Sequence, residues 1–288
     1  MSDSVSQREP PPADQLFEPS EFFDESYGAR QFVTFIPDSE WRAQRVADQT
    51  TEESSDGNRL SLLPMGFPIH IAIDILAREL VKRIEEARKH DIPVVPLPIS
   101  AASEMNLKPG HPRKNLLYAA HPCDPRTYVP AADFHRLTFE HKFAEVLRLL
   151  MHLGASNIEV EHVRGWGHDF AGRLSAGIPQ AGVEASTDVE ARSSSEDRIL
   201  YHAELDGNDD PALPDDLIWY PHEPTWQSVA EGRLDFGLRD FSLKLQYADD
   251  YGVNADLKVD AENAGFELGG SFEKHESTTW SIEGTFGD

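Results

Sequence analysis

The chain has 288 residues, 39% hydrophobic and 27% charged, with 51 acidic side chains against 26 basic ones and a formal net charge of −25. That length can bury a sizeable core, while so negative a surface argues against nucleic-acid binding and against standing association with anionic lipid. The one cysteine, Cys123, rules out an intrachain disulfide and a thiolate zinc cluster.

The N-terminal stretch MSDSVSQREPPPADQ is acidic and proline-rich and lacks the apolar core of a secretory signal. No run of residues reaches the apolar length of a bilayer-spanning helix, so the cytoplasm is the expected compartment. Residues 1 to about 20 read as a tail without stable structure. Gln31–Ile36 is the first strand-like run, ended by Pro37, and Asp38 or Ser39 can cap a short helix through Trp41 and Val46. Gln49–Asn58 is a polar loop, followed by a short strand candidate at Leu60–Leu63. Ile73, Leu76, Ala77, Leu80, Ile84 and Ala87 recur at helical spacing, which predicts an amphipathic helix over about 70–89. Ile92–Leu97 reads as a short strand with edge-type prolines, and Asn115–His121 as a more apolar one.

The stripe Phe139, Phe143, Val146, Leu147 and Leu150 predicts a long helix over roughly 131–153, with Gly154 placed to close it. Asn157–Val163 then alternates as a strand. Strand, helix, strand reads here as a βαβ unit, with 115–121 and 157–163 as parallel neighbours. From about residue 183 the period changes to two. Segments 183–193 and 198–206 read as an antiparallel hairpin, and an Asp- and Pro-rich loop spans 207–216. A short helix from Thr225 to about Leu234 precedes four strands, Phe241–Tyr247, Val253–Ala261, Phe266–Phe272 and Thr279–Phe286. The fold class is α+β: a mixed α/β front half with at least one βαβ-like unit, followed by a C-terminal antiparallel β-meander. The expected organisation is a tail at 1–20, a mixed region at 21–180 and a β-rich region at 181–288, the last two either separate or continuous.

Ligands in open α/β sheets bind beyond the carboxyl ends of parallel strands. Two strand candidates end in polar clusters: "AAHPCDP" offers His121 and Asp124, and "EHVRGWGHD" offers His162, His168 and Asp169. Nitrogen and carboxylate ligands converging there could hold a divalent metal ion and activate water, although no spacing matches a compact metal motif. In "HRLTFEH", His135 stands five and six residues from Glu140 and His141, a spacing that diverges around a helix. Nucleotide loops and the G-x-S-x-G elbow are absent, so no cofactor is favoured. Trp219, Tyr220, His222 and Trp226 form the densest aromatic cluster, either a recognition surface or a plug between helix and sheet.

"LLPMGFPIHIAID", a helix and then "VPLPISAASEMNLKPG" faintly resemble creatininase-type amidohydrolases, which are metal-dependent. Phe67 and Pro68 stand where that family has a glutamate before its histidine, and Glu104 is followed by Met105 rather than histidine, so its ligand set is not carried over. The leading expectation is a cytoplasmic protein-interaction or assembly component, acting through a protein partner or as a homo-oligomer, without catalytic chemistry of its own. A metal-dependent hydrolase using the five His and Asp residues is the first alternative. The second is an effector whose hairpin over 183–206 forms membrane pores after activation, since each segment has the length of a membrane-spanning strand.

Overall fold

Alternation fails in the first strand: all five residues of β1 (Phe32–Ile36) are buried, the mark of a strand covered on both faces. The structure is a computed structural model describing residues 19–42, 68–168, 170–171 and 199–287. The chain divides into two compact units, Met1–Asp133 with Ala255–Phe272, and Phe134–Asn254 with Glu273–Asp288. The first boundary thus falls where the long central helix begins. Among the described residues no helix is long and apolar enough to cross a membrane.

In the first unit, the short helices α1 (Pro19–Asp24) and α2 (Tyr27–Arg30) lead into β1. A 22-residue helix, α3 (Pro68–Lys89), then crosses to β2 (Val94–Pro98), which pairs with β1 in parallel. This is the βαβ unit of the fold, and α3 covers almost the span read from its periodicity. Leu80, Ile84 and Ala87 are buried along it. β3 (Leu117–Ala120) and β4 (Tyr128–Pro130) complete a sheet of order β2-β1-β3-β4, both added antiparallel. One face packs Val33, Phe35, Leu97, Leu116, Tyr118 and Tyr128 into a common core.

The second unit begins with α4 (Phe134–His152) and β5 (Ala155–Arg164). Its antiparallel sheet has the order β6-β5-β8-β7, built from β6 (Ile199–Glu204), β7 (Asp240–Tyr247) and β8 (Thr278–Phe286). A helix α5 (Pro224–Phe236) precedes β7 and ends at Gly237 in the left-handed region. β7 alternates strictly, burying Phe241, Leu243, Leu245 and Tyr247. The buried stripe of α4 is the one its spacing predicted; Phe139 and Phe143 set their rings edge-on to Trp280, at 4.7 and 5.1 Å between centroids.

Three sequence readings are corrected by this topology. β3 and β5 are not parallel neighbours: β1 and β4 take the two edges of β3, and β6 and β8 those of β5. Strand–helix–strand order alone does not decide which sheet a strand joins, and β4, three residues ending in Pro130, is too short to announce itself. Val253–Ala261 is not a strand, because Ala255–Asn263 forms helix α6. Leu257, Ala261 and Ala264 are buried at helical spacing while Val259 is 54% exposed; a short run can satisfy both periods at once. α6 closes in a Schellman pattern, with Phe266 N–H bonded to the Ala261 carbonyl and Gly265 N–H to that of Glu262, Gly265 having φ +87°. Nor is Phe266–Phe272 a strand; it makes a single bridge, Leu116 to Glu267, beside β3. Of the expected hairpin, residues 183–198 lie outside the described residues, and its second half supplies β6.

Candidate functional site

The two polar clusters singled out in the sequence lie in different units. His121, 2% exposed, directly follows β3, and its Nδ1 accepts the backbone N–H of Cys123 (3.2 Å) and of Asp124 (3.0 Å). Asp124 in turn accepts the Thr127 hydroxyl, the Arg126 N–H at 3.0 Å and the Asn106 amide at 3.4 Å. Burial works against its charge, but these bonds together hold its carboxyl below the ordinary range. "AAHPCDP" is thus a turn closed on its own backbone.

In the second unit, His162 donates from Nε2 to the Gly165 carbonyl at 2.9 Å. Gly165 has φ +78°, and a Cβ there would stand 2.5 Å from Thr278 Oγ1, so only glycine fits. The turn delivers Trp166 into the core, stacked on Phe170 at 4.2 Å, its carbonyl accepting the Trp280 indole N–H at 2.7 Å. His168 is exposed, and Asp169 lies outside the described residues. Among the described residues, no three His, Cys, Asp or Glu side chains converge as metal ligands do.

Of the aromatic cluster, Trp219 and Trp226 are buried at 3% and 0% exposure, whereas Tyr220 is half-buried and His222 exposed. A polar stripe on α4 fixes this segment. Glu145 accepts three successive backbone N–H groups, from Ile218, Trp219 and Tyr220, at 2.7–2.9 Å. Lys142 donates to the Gln246 carbonyl at 2.8 Å, pairs with Glu223 and lies over the Trp219 ring. Three bonds to one carboxylate satisfy amides that would otherwise be stranded.

His135, at the start of the same stripe, organises the site that the sequence did not disclose. It is wholly buried, with Nδ1 2.9 Å from the Tyr247 hydroxyl and Nε2 against the Val253 carbonyl. A carbonyl only accepts, so Nε2 carries the proton and Nδ1 receives the Tyr247 hydroxyl proton. The ring of His275 lies 5.1 Å away, centroid to centroid, and its Nε2 is buried without a hydrogen-bond partner. Burial drives the His135 pKa down to about 4, against the pull of the Val253 carbonyl, with smaller opposing contributions from the neighbouring His275 and Asp250.

The segment between Tyr247 and Asn254 carries the other half. Asp249 accepts the Tyr251 N–H at 2.8 Å and Asp250 that of Gly252 at 2.9 Å, holding Tyr251 at φ +49° and Gly252 at φ +69°. A left-handed tyrosine is strained and persists only when its surroundings impose it. The Gly252 N–H, the Asn254 amide and both histidines lower the Asp250 pKa. Ala248, Asp249, Asp250 and His275 line an open cleft of about 490 Å³. Chemically it offers carboxylate acceptors and an imidazole on one wall, a setting for a cation or a hydrogen-bond donor. No known protein family, curated protein or solved structure matches the chain.

Proposed function

We propose that this protein is a cytoplasmic interaction component that acts through a protein partner rather than by catalysis, and that the cleft beside Asp249, Asp250 and His275 receives a basic side chain of that partner. The observation that carries the reading is the cleft itself, whose lining combines two carboxylates with an imidazole. Asp250 is held ionised by its bonds to Gly252 and Asn254, so the wall stays negative without reorganising when a cation arrives. A net charge of −25 steers basic partners towards the whole chain, and complementary charge sets encounter rate and orientation more than raw affinity. With Trp219 and Trp226 inside their unit, the aromatic cluster supplies little area for a partner, which favours this polar cleft as the contact.

The test is a fluorescence-anisotropy titration with a labelled peptide of alternating alanine and lysine, at low ionic strength. Saturable binding is expected, weakened about tenfold, or about 1.4 kcal/mol, by Asp249→Asn. Asp235→Asn removes the same charge from the exposed end of α5 and should change little. Equal weakening by both variants would mean that only net charge is being read, and the proposal would fall.

A further inference from the structure

We infer that His135 and His275 form an acid-operated latch on the 248–254 segment, holding the wall of the cleft in place near neutral pH and releasing it on acidification. The latch acts on the cleft proposed above as a binding site, but its operation needs no ligand. His135 stands on α4 and grips two further pieces of chain, the end of β7 through Tyr247 and the following segment through the Val253 carbonyl. The segment before β8 contributes His275, whose ring also lies 5.7 Å from that of Tyr247. Three strands of covalent chain thus meet at one imidazole.

A second proton would enter at Nδ1, the nitrogen that accepts from Tyr247, and the Tyr247 hydroxyl would then have to turn from donor to acceptor. The Nε2 bond to the Val253 carbonyl favours the charged ring, so it is burial beside a second imidazole that opposes the proton. On His275, a proton at Nε2 would enter a place where no acceptor lies, and a charge on either ring would face the other at 5.1 Å. Titratable and charged groups face the pair from several pieces of chain. Tyr247 comes from β7 and Asp250 from the segment itself, and the Asp250 carboxylate attracts a proton to His135. Asp249 lines the cleft with His275, and on α4 Arg136 is held by Glu140 and Glu273 at 3.4 and 3.6 Å. Lys274 and Glu276 flank His275 in the chain with opposite charge. Burial of His135 outweighs the single carboxylate, so the closed arrangement resists protons that an opened one takes up freely. Linkage then requires acid to favour opening. The strained Tyr251, at φ +49°, gives the segment a reason to move once the grip is lost.

The experiment is amide hydrogen exchange on the whole chain from pH 7.5 to 5, corrected for the intrinsic pH dependence, with no peptide added. Exchange at Tyr251–Asn254 should accelerate at least tenfold, while β5 and β8 amides keep their protection. His275→Gln should reduce the pH slope and the His135→Gln, His275→Gln double variant should flatten it. Unchanged exchange in the wild type overturns the latch, and so does equal acceleration across the whole unit, which would be acid unfolding. Wild-type exchange alone decides the matter if the double variant does not fold. Since no basic peptide is present, failure here leaves the binding test untouched.

Discussion

His121 and His135 are almost equally inaccessible, at 2% and 0% exposure, yet they are held in opposite ways. The Nδ1 of His121 takes its hydrogen bonds from residues two and three places along the chain, so the ring closes a turn and the turn positions the ring. The partners of His135 stand 112 and 118 residues away, and its neighbour His275 keeps a buried nitrogen without a partner. A locally satisfied histidine stabilises what already folds around it. One satisfied from afar couples elements that would otherwise move separately, and so leaves a proton able to decide whether they stay together.

The comparison can be broken at several points. The largest effect is expected from Trp166→Ala, which empties the packed position that makes the loop after β5 part of the core; about 3–5 kcal/mol should be lost in urea unfolding. A change below about 1 kcal/mol would return "EHVRGWGHD" to the surface and reopen it as a site. Next is His135→Phe, which removes the bonds that His135 makes to the Tyr247 hydroxyl and the Val253 carbonyl and should cost about 2–3 kcal/mol at neutral pH.

The pH dependence sharpens the contrast further. His135 titrates at about 4 in the fold against an ordinary value of 6.5, so the unfolded chain takes up the proton first. Its contribution, about 3 kcal/mol, is fully present above pH ~6.5 and lost as the pH falls towards ~4. Urea unfolding at a series of pH values should show that loss in the wild type and a flatter profile in His135→Phe; parallel profiles would remove His135 as the cause. The smallest effect belongs to His121→Ala, about 1–2 kcal/mol from two lost backbone bonds, with affinity for the alanine–lysine peptide unchanged.

Much of the scaffold was legible because its signal is local. The apolar stripe of α4 and the strict alternation of β7 each need only the residues they contain, and both elements stand close to where periodicity placed them. The helix at 255–263 was misread because Leu257, Val259 and Ala261 satisfy a two-residue period by accident, and only burial distinguishes Val259 from its neighbours. The candidate site was not legible at all. "HRLTFEH" drew attention to His135, but its spacing to Glu140 and His141 was the wrong question, since its partners enter from β7 and the segment after it. Asp249 and Asp250 fall between the first two of the expected C-terminal strands and His275 between the last two, and nothing in the sequence says that these residues line one cleft. The polar clusters that did stand out are conspicuous because their histidines and aspartates lie close together in the sequence, which says nothing about the partners the fold brings to them.

The excursion of residues 255–272 into the first unit, between two stretches of the second, bears on how the chain is made and cut. The backbone passes from one unit to the other three times, so no single cleavage and no simple truncation yields either one whole. A ribosome must release nearly the entire sequence before the N-terminal unit can receive α6 and the segment after it, and β5 likewise waits for β8. Neither unit can finish as an early, independent domain. Expression of residues 1–254 alone would leave Leu116, beside β3, without the Glu267 bridge and β5 without β8.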